Sequence, residues 1–129
     1  ILALHPRTRK IVSEQSVKIS NLIKVIEPAP YLDTIALLQN AKAIMTDSGG
    51  MQKEAFFLQT PCLTLRDETE WVETINCGSN KLVGADTIKT RQTLDQLISG
   101  KWEPDFSTKP YGSGNAAETI TASLAKSLA

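Results

Sequence analysis

Little in this sequence marks a specialised class of protein, and each shortage excludes something. Cysteine is scarce: Cys62 and Cys77 are the only two among 129 residues, and His5 is the sole histidine. Neither cysteine sits in a Cys-x-x-Cys pair, so no structural zinc site is expected, and no other metal or cofactor. A disulfide is open to the pair but is not needed, because a chain of this length buries a real core without one. Cys62 lies in an apolar run and reads as a small buried hydrophobe. Charge of one sign is missing too, since 14 Lys plus Arg balance 14 Asp plus Glu. No global basic field exists to draw nucleic acid or an acidic membrane, so neither is expected as a partner. An anionic ligand must instead be held by local groups. No apolar run approaches the roughly 20 residues of a membrane span. No signal peptide is recognisable, and a cytoplasmic location is expected.

What is present is ordinary in bulk: 41% apolar and 22% charged residues, the composition of a globular domain. The length fits one domain. The chain opens as Ile1-Leu2-Ala3-Leu4, without Met or a polar lead-in, a pattern that reads as the interior of a domain. Residues 1–5 are expected to form a buried strand, and Arg7 to Gln15 a helix. Leu22 to Ile26 is a second strand before the Pro28-Ala29-Pro30 loop. Tyr31 to Gln39 shows apolar residues near helical spacing. Ala43 to Met45 is a third strand, and a sharp Ser-Gly-Gly turn leads into a helix from about Met51 to Leu58. Cys62 to Leu65 and Lys81 to Val83 are further strands. Thr87 to Ile98 is an amphipathic helix stopped by Gly100. Residues 101–114 are a loop, and Asn115 to Leu128 is an Ala-rich helix. Strands alternating with helices give an α/β fold, a Rossmann-like doubly wound parallel sheet covered on both faces.

The most informative stretch is Thr46-Asp47-Ser48-Gly49-Gly50-Met51-Gln52-Lys53-Glu54-Ala55. A buried strand ends, glycines follow, and a helix begins. In an open α/β sheet, ligands sit outside the carboxyl ends of the strands. A helix start offers unpaired N–H groups and partial positive charge. Glycines let a phosphate approach that backbone, and a serine hydroxyl adds a donor. Glu54, about one turn in, can accept bonds from both ribose hydroxyls. The plainer reading is an N-cap by Asp47 or Ser48 with glycines making the turn. The spacing matches neither a P-loop nor the dinucleotide GxGxxG pattern.

The longer string TDSGGMQKEAFFLQTPCLTLRDETEWVETINCGSNKLVGAD resembles the C-terminal domain of non-hydrolysing UDP-N-acetylglucosamine 2-epimerases. The segments HPRTRK, YLDTIALLQNAK and KPYGSGNAA match as well, so the resemblance spans nearly the whole chain. It implies a glycosyltransferase-B-like architecture, with UDP held between two Rossmann-like domains. Residues 1–129 would then be part of the UDP-binding C-terminal domain, with its first strand and the whole N-terminal domain lying outside the chain. Carried over by position, Ser48, Gly49 and Gly50 would hold the diphosphate and Glu54 the ribose. Two readings of Arg66 stand side by side: it orients the Glu54 side or the loop, or it is a surface ion pair with Asp67 or Glu70. His5 is near the ligand cleft in the family, and in some members touches a second, regulatory UDP-sugar. The alternative is a strand-end histidine bonded to backbone. Tyr111 to Asn115 resembles the family's final turn, whose glycines serve the turn.

Two departures stand out. The family usually continues Thr-Glu with Arg-Pro, whereas Trp71-Val72 follows Glu70 here. That variant is more similar to the branch acting on UDP-2,3-diacetamido-2,3-dideoxyglucuronate, although a lone Trp is more often a core anchor. Thr34 stands where some members place an aromatic near the uracil. The family's reaction inverts C2 by UDP elimination and re-addition, and its proton-transfer carboxylates belong to the N-terminal domain. No catalytic residue is therefore assigned, and no turnover is expected of this chain alone. The expected partners are a UDP-sugar, the N-terminal domain of the parent enzyme and a second copy in a homodimer. Two other functions fit the same residues: a non-catalytic UDP-sugar-sensing module, or the nucleotide-binding half of a glycosyltransferase. The family comparison also makes residues 1–5 the second strand and 43–46 the fourth of a 3-2-1-4-5-6 sheet. The sheet is expected to hold about five parallel strands with an intermolecular contact at the gap, or to close by pairing 1–5 with 43–46.

Overall fold

The computed structural model describes residues 1–128. They form two compact units, Ile1–Asn40 and the remainder from Ala41. In the first unit, β1 (Leu2–Ala3) pairs in parallel with β2 (Val25–Ile26), Leu2 opposite Val25. The crossover is α1 (Pro6–Glu14), which starts one residue earlier than the sequence suggests because Pro6 suits a first helical position. After the Pro28-Ala29-Pro30 loop comes α2 (Tyr31–Gln39), with the bounds its spacing predicts. Leu4 and Leu38 are the buried apolar residues of this unit. Both strands are shorter than predicted. Leu22 is 91% exposed, and Ser20 takes the N–H of Leu22 on its hydroxyl at 3.3 Å and that of Ile23 on its carbonyl at 3.0 Å. Such local bonds hold a turn at the expense of a ladder.

The second unit carries a parallel sheet in the order β3-β4-β5: β3 (Ile44–Thr46), β4 (Cys62–Thr64) and β5 (Asn80–Leu82). The register places Ile44 opposite Cys62 and Cys62 opposite Asn80. Helix α3 (Gly49–Phe57) joins β3 to β4, and a short α4 (Val72–Asn76), not predicted from sequence, precedes β5. Helix α5 (Thr87–Ile98) follows, capped by Asp86, whose carboxylate accepts from the N–H of Ile88 and Lys89 at 2.8 and 2.9 Å. After the loop comes α6 (Ala116–Ser127), none of whose residues is buried.

All three residues of β4 are buried, as a central parallel strand requires. Alternation sends Leu63 to one face, where it joins Val83 and Trp102, with Ala43, Leu94 and Leu97 packed against them. Burying side chains of this size contributes roughly 1.5–3 kcal/mol each. Cys62 and Thr64 point to the opposite face, and that layer is polar.

The two sheets are separate, so one sheet of five strands closed by residues 1–5 on 43–46 is not formed. The reason is local: Leu2 and Leu4 give their N–H groups to Lys24 and Ile26 at 2.9 and 3.0 Å, the partners set by the α1 crossover. The two ladders observed are the β1-β2 pair and the β3-β4-β5 trio, all parallel.

Candidate functional site

The polar face beneath α3 is a connected network. Thr64 Oγ1 donates to Asn80 Oδ1 at 2.8 Å, and Asn80 Nδ2 donates to Thr74 Oγ1 and Gln52 Oε1 at 3.1 and 3.2 Å. Thr69 Oγ1 donates to the same Gln52 oxygen at 2.6 Å and accepts from Trp71 N at 3.1 Å. Thr74 Oγ1 donates to the Trp71 carbonyl at 2.7 Å. Gln52, Thr64, Thr74 and Asn80 are each at most 1% exposed. A buried polar group costs free energy unless it is paired, so these bonds fix one geometry. They pin the segment from Arg66 to Trp71 against the first half of α3.

Above the network lies the head of that helix. Ser48 is the N-cap, its Oγ accepting from Met51 N at 3.5 Å, while Ser48 N donates to Thr46 Oγ1 at 3.0 Å. Ser48 rather than Asp47 makes the cap. Gly49 and Gly50 form the first helical turn and not a separate turn before it, and neither has positive φ. Their N–H groups have no acceptor one turn back within the helix. Backbone conformation therefore does not require glycine at either position. At Gly49 a close approach is visible: the Glu70 carboxylate fills the space a Cβ would need, its Cδ 3.2 Å from that point. At Gly50 a Cβ would meet only Ser48 Oγ, at 3.9 Å. Glu54 lies one turn below Gly50 on the same side of α3. It is partly exposed, and its carboxylate makes no hydrogen bond or ion pair among the described residues.

Of the two readings of Arg66, the ion pair is present: its Nη1 is 3.1 Å from Glu70 Oε2. Trp71 is half-buried and not a core anchor. Its indole Nε1 is shielded from solvent without a hydrogen-bond partner, as is Gln52 Nε2. Lys53 Nζ lies 4.4 Å from the Trp71 ring centroid and 4.6 Å from that of Tyr111, a cation between two aromatic faces. The Tyr111 hydroxyl donates to Glu73 Oε2 at 3.4 Å, and partial burial together with that carboxylate pushes its pKa up to about 12. Gly112 and Gly114 have φ of 78° and 88°, so the loop before α6 does use its glycines for turning. His5, in the first unit, caps α1 by accepting from Arg7 N on Nδ1 at 3.2 Å, which matches the backbone-bonded reading.

The polar network, Glu70 over Gly49 and the Lys53 cage were not read from the sequence. A glutamine and an asparagine at buried positions of α3 and β5 were the available signal. Among the described residues no group of three or more His, Cys, Asp or Glu could hold a metal ion. No described helix is long and apolar enough to cross a membrane.

This geometry has relatives. The family described as UDP-N-acetylglucosamine 2-epimerase matches residues 1–125. A UDP-2,3-diacetamido-2,3-dideoxy-D-glucuronate 2-epimerase of Pseudomonas aeruginosa is 45% identical, over 98% of this chain and 34% of its own length. A UDP-N-acetylglucosamine 2-epimerase of Methanocaldococcus jannaschii is 40% identical, over 93% of this chain and 33% of its own. The structure of the epimerase from that organism superposes with a TM-score of 0.79 at 39% identity, covering 96% of this chain and 35% of that one. Its complex with UDP-GlcNAc and UDP gives a TM-score of 0.76 over 96% and 34% of the two chains. The chain thus spans about a third of the length of the relatives it matches. Matched along nearly its whole length, with the parallel α/β fold in common, the chain belongs to the UDP-N-acetylglucosamine 2-epimerase family and corresponds to a C-terminal part of it.

Proposed function

We propose that the head of α3 holds the nucleotide of a UDP-sugar. The observation that carries this is one helix face. The open amides of Gly49 and Gly50 and the Ser48 hydroxyl stand at its start, and an uncommitted Glu54 carboxylate lies on the Gly50 side. From Gly49 to Glu54 the rise is about 7.5 Å at about 1.5 Å per residue. That separation suits a diphosphate on the amides and a ribose on the carboxylate. The helix start supplies partial positive charge and N–H donors for the phosphates. Glu54 accepts from the ribose hydroxyls. A family member bound to UDP-GlcNAc and UDP supports the ligand class. The Pseudomonas relative supports a diacetamido-uronate as the alternative sugar.

On this reading residues 1–129 are the UDP-binding part of an epimerase that inverts C2 by eliminating and re-adding UDP. Such a reaction needs an acid and a base at C2 and a stabilised leaving diphosphate. This chain supplies the leaving-group end. The proton-transfer groups come from an N-terminal domain that is its partner, so the chain alone binds UDP weakly and does not turn over. His5, with Nδ1 committed to the α1 cap, leaves Nε2 for a contact in the first unit. β1 and β3 are edge strands, and an open edge invites pairing with a second copy.

The test is an NMR titration of the chain with UDP. Shifts should centre on Gly49, Gly50 and Glu54, and Glu54→Gln should weaken them. Shifts confined to other residues would sink the assignment. Incubation with the UDP-sugar in deuterated water should leave C2 unlabelled, and sedimentation at rising concentration should reveal the dimer.

A further inference from the structure

The head of α3 already carries an anion. Glu70 Oε1 faces Gly49, in the space a Cβ would take, and Glu70 Oε2 accepts from Arg66 Nη1 at 3.1 Å. The carboxylate thus lies between the side of the first α3 residue and a guanidinium, with a hydrogen bond to the guanidinium and none to an α3 amide among the described residues. Both the helix start and the guanidinium suit a phosphate. A third donor lies beside the same place. Trp71 Nε1 is 3.5 Å from the Cβ position of Gly49, is shielded from solvent, and has no acceptor. An indole N–H left without a partner at this spot fits an oxygen that is not part of the chain.

The arrangement is also easy to exchange. Glu70 and Arg66 side chains are 49% and 36% exposed, and ion pairs of that exposure stabilise little. Their backbone, by contrast, is tied down through Thr69 and Trp71 by the buried network. The side chains can therefore swing on a fixed loop.

We propose that Glu70 is an internal placeholder for the diphosphate. It occupies the α3 head in the empty protein, and the entering diphosphate displaces it. Arg66 passes from the Glu70 carboxylate to a phosphate oxygen, and the Trp71 indole N–H gains its acceptor. A phosphate on the open Gly49 amide would stand against the Glu70 carboxylate, and two anions in contact repel, so binding and the Glu70 contact oppose each other. Glu70 thereby lowers the apparent affinity by the fraction of molecules in which it is in place. This inference rests on the proposed UDP site and assigns that site an intramolecular competitor.

Calorimetric titrations of the chain and of Glu70→Gln and Glu70→Ala with UDP, inorganic pyrophosphate and uridine test it. Either variant should bind UDP and pyrophosphate about threefold to tenfold more tightly, by removing a charge that competes at a helix start. Uridine, which lacks phosphates, should bind all three proteins alike. Arg66→Ala should weaken both phosphate ligands. Equal or weaker UDP binding by the folded Glu70 variants, with UDP still bound by the unmodified chain, overturns the placeholder and leaves the UDP site standing. Tightening of uridine by the same factor as UDP also overturns it. No UDP binding by any of the proteins removes both readings together.

Discussion

Gly49 and Gly50 are neighbours in one helical turn, yet a methyl group has different consequences at each. An alanine at 49 must push the Glu70 carboxylate aside. It would also stand between a phosphate and the first amide, so Gly49→Ala should weaken UDP binding about tenfold or more, the loss of a charge-assisted contact or two. At 50 there is room, and alanine is the better helix former. Gly50→Ala should therefore raise stability by about 0.5–1 kcal/mol in urea denaturation while weakening UDP binding. A variant with raised stability and unchanged affinity would show that the ligand does not reach that backbone. The thiols offer a second check at this scale. Cys62 is 1% exposed, as its apolar setting suggests. Burial pushes its pKa up to about 11 from 9.0, with the Thr64 hydrogen bond opposing. The folded chain then holds a proton that the unfolded chain loses first, so stability is full below pH 9 and falls as pH rises towards about 11. Cys62→Val should flatten that window in a pH series of melting temperatures. In native alkylation at pH 8, half-buried Cys77 should react before Cys62.

Elements were legible where their signals are local. α2 and α5 have the bounds their spacing predicts. For α5 the stop at Gly100 was plain, and Asp86 supplies a cap from side chain to backbone. Asp86→Ala should cost about 1 kcal/mol, readable as an earlier midpoint in denaturant. Elements were misread where a short bond to a serine overrode the residue pattern. Leu22 and Ile23 look like a strand but lie in a turn held by Ser20. Gly49 and Gly50 look like a turn but are helix, since the cap is Ser48. α4 was not foreseen, because its five residues are too few to show a helical period, and Thr74 within it bonds back to the Trp71 carbonyl at its start. The site was half legible for a different reason, sequence distance. Ser48, Gly49, Gly50 and Glu54 are contiguous in one motif, whereas Glu70 and Trp71 reach the α3 head only through tertiary hydrogen bonds. Asn80 holds that tertiary arrangement. Asn80→Ala would leave the Thr64 hydroxyl without its side-chain acceptor, while Thr74 keeps the Trp71 carbonyl and Gln52 keeps Thr69, at about 1–3 kcal/mol for the group orphaned. The loop from Arg66 to Trp71 should loosen with it, seen as faster amide exchange there.

At the scale of the whole molecule, stability should be uneven. The unit from Ala41 has three strands in register, a central strand buried throughout and a core of Leu63, Val83 and Trp102. Trp102 is locked further by its indole N–H donating to the Gly78 carbonyl at 2.7 Å. Residues 1–40 rest on two strands of two residues each, with Leu4 and Leu38 as buried apolar side chains. A two-stranded pairing of that length is marginal in water, and helices of this size take their stability from packing. Local opening should therefore cost much less in the first unit. Amides of β4 and β5 should exchange at least about 100-fold more slowly than those of β1, β2 and α1, a difference of about 2.8 kcal/mol in opening free energy. α6 is an extreme case: its 12 residues bury no side chain, and Ile120 and Leu124 are 59% and 57% exposed. An isolated helix of that length is marginal even with good formers. Deleting residues 115–129 should leave the melting temperature of the rest unchanged and the exchange rates of β3, β4 and β5 as they were. A deletion that speeds exchange in β3, β4 and β5 and lowers the melting point by several degrees would show that α6 is seated on the second unit after all. Equal protection in both units would show that the chain unfolds as one cooperative body.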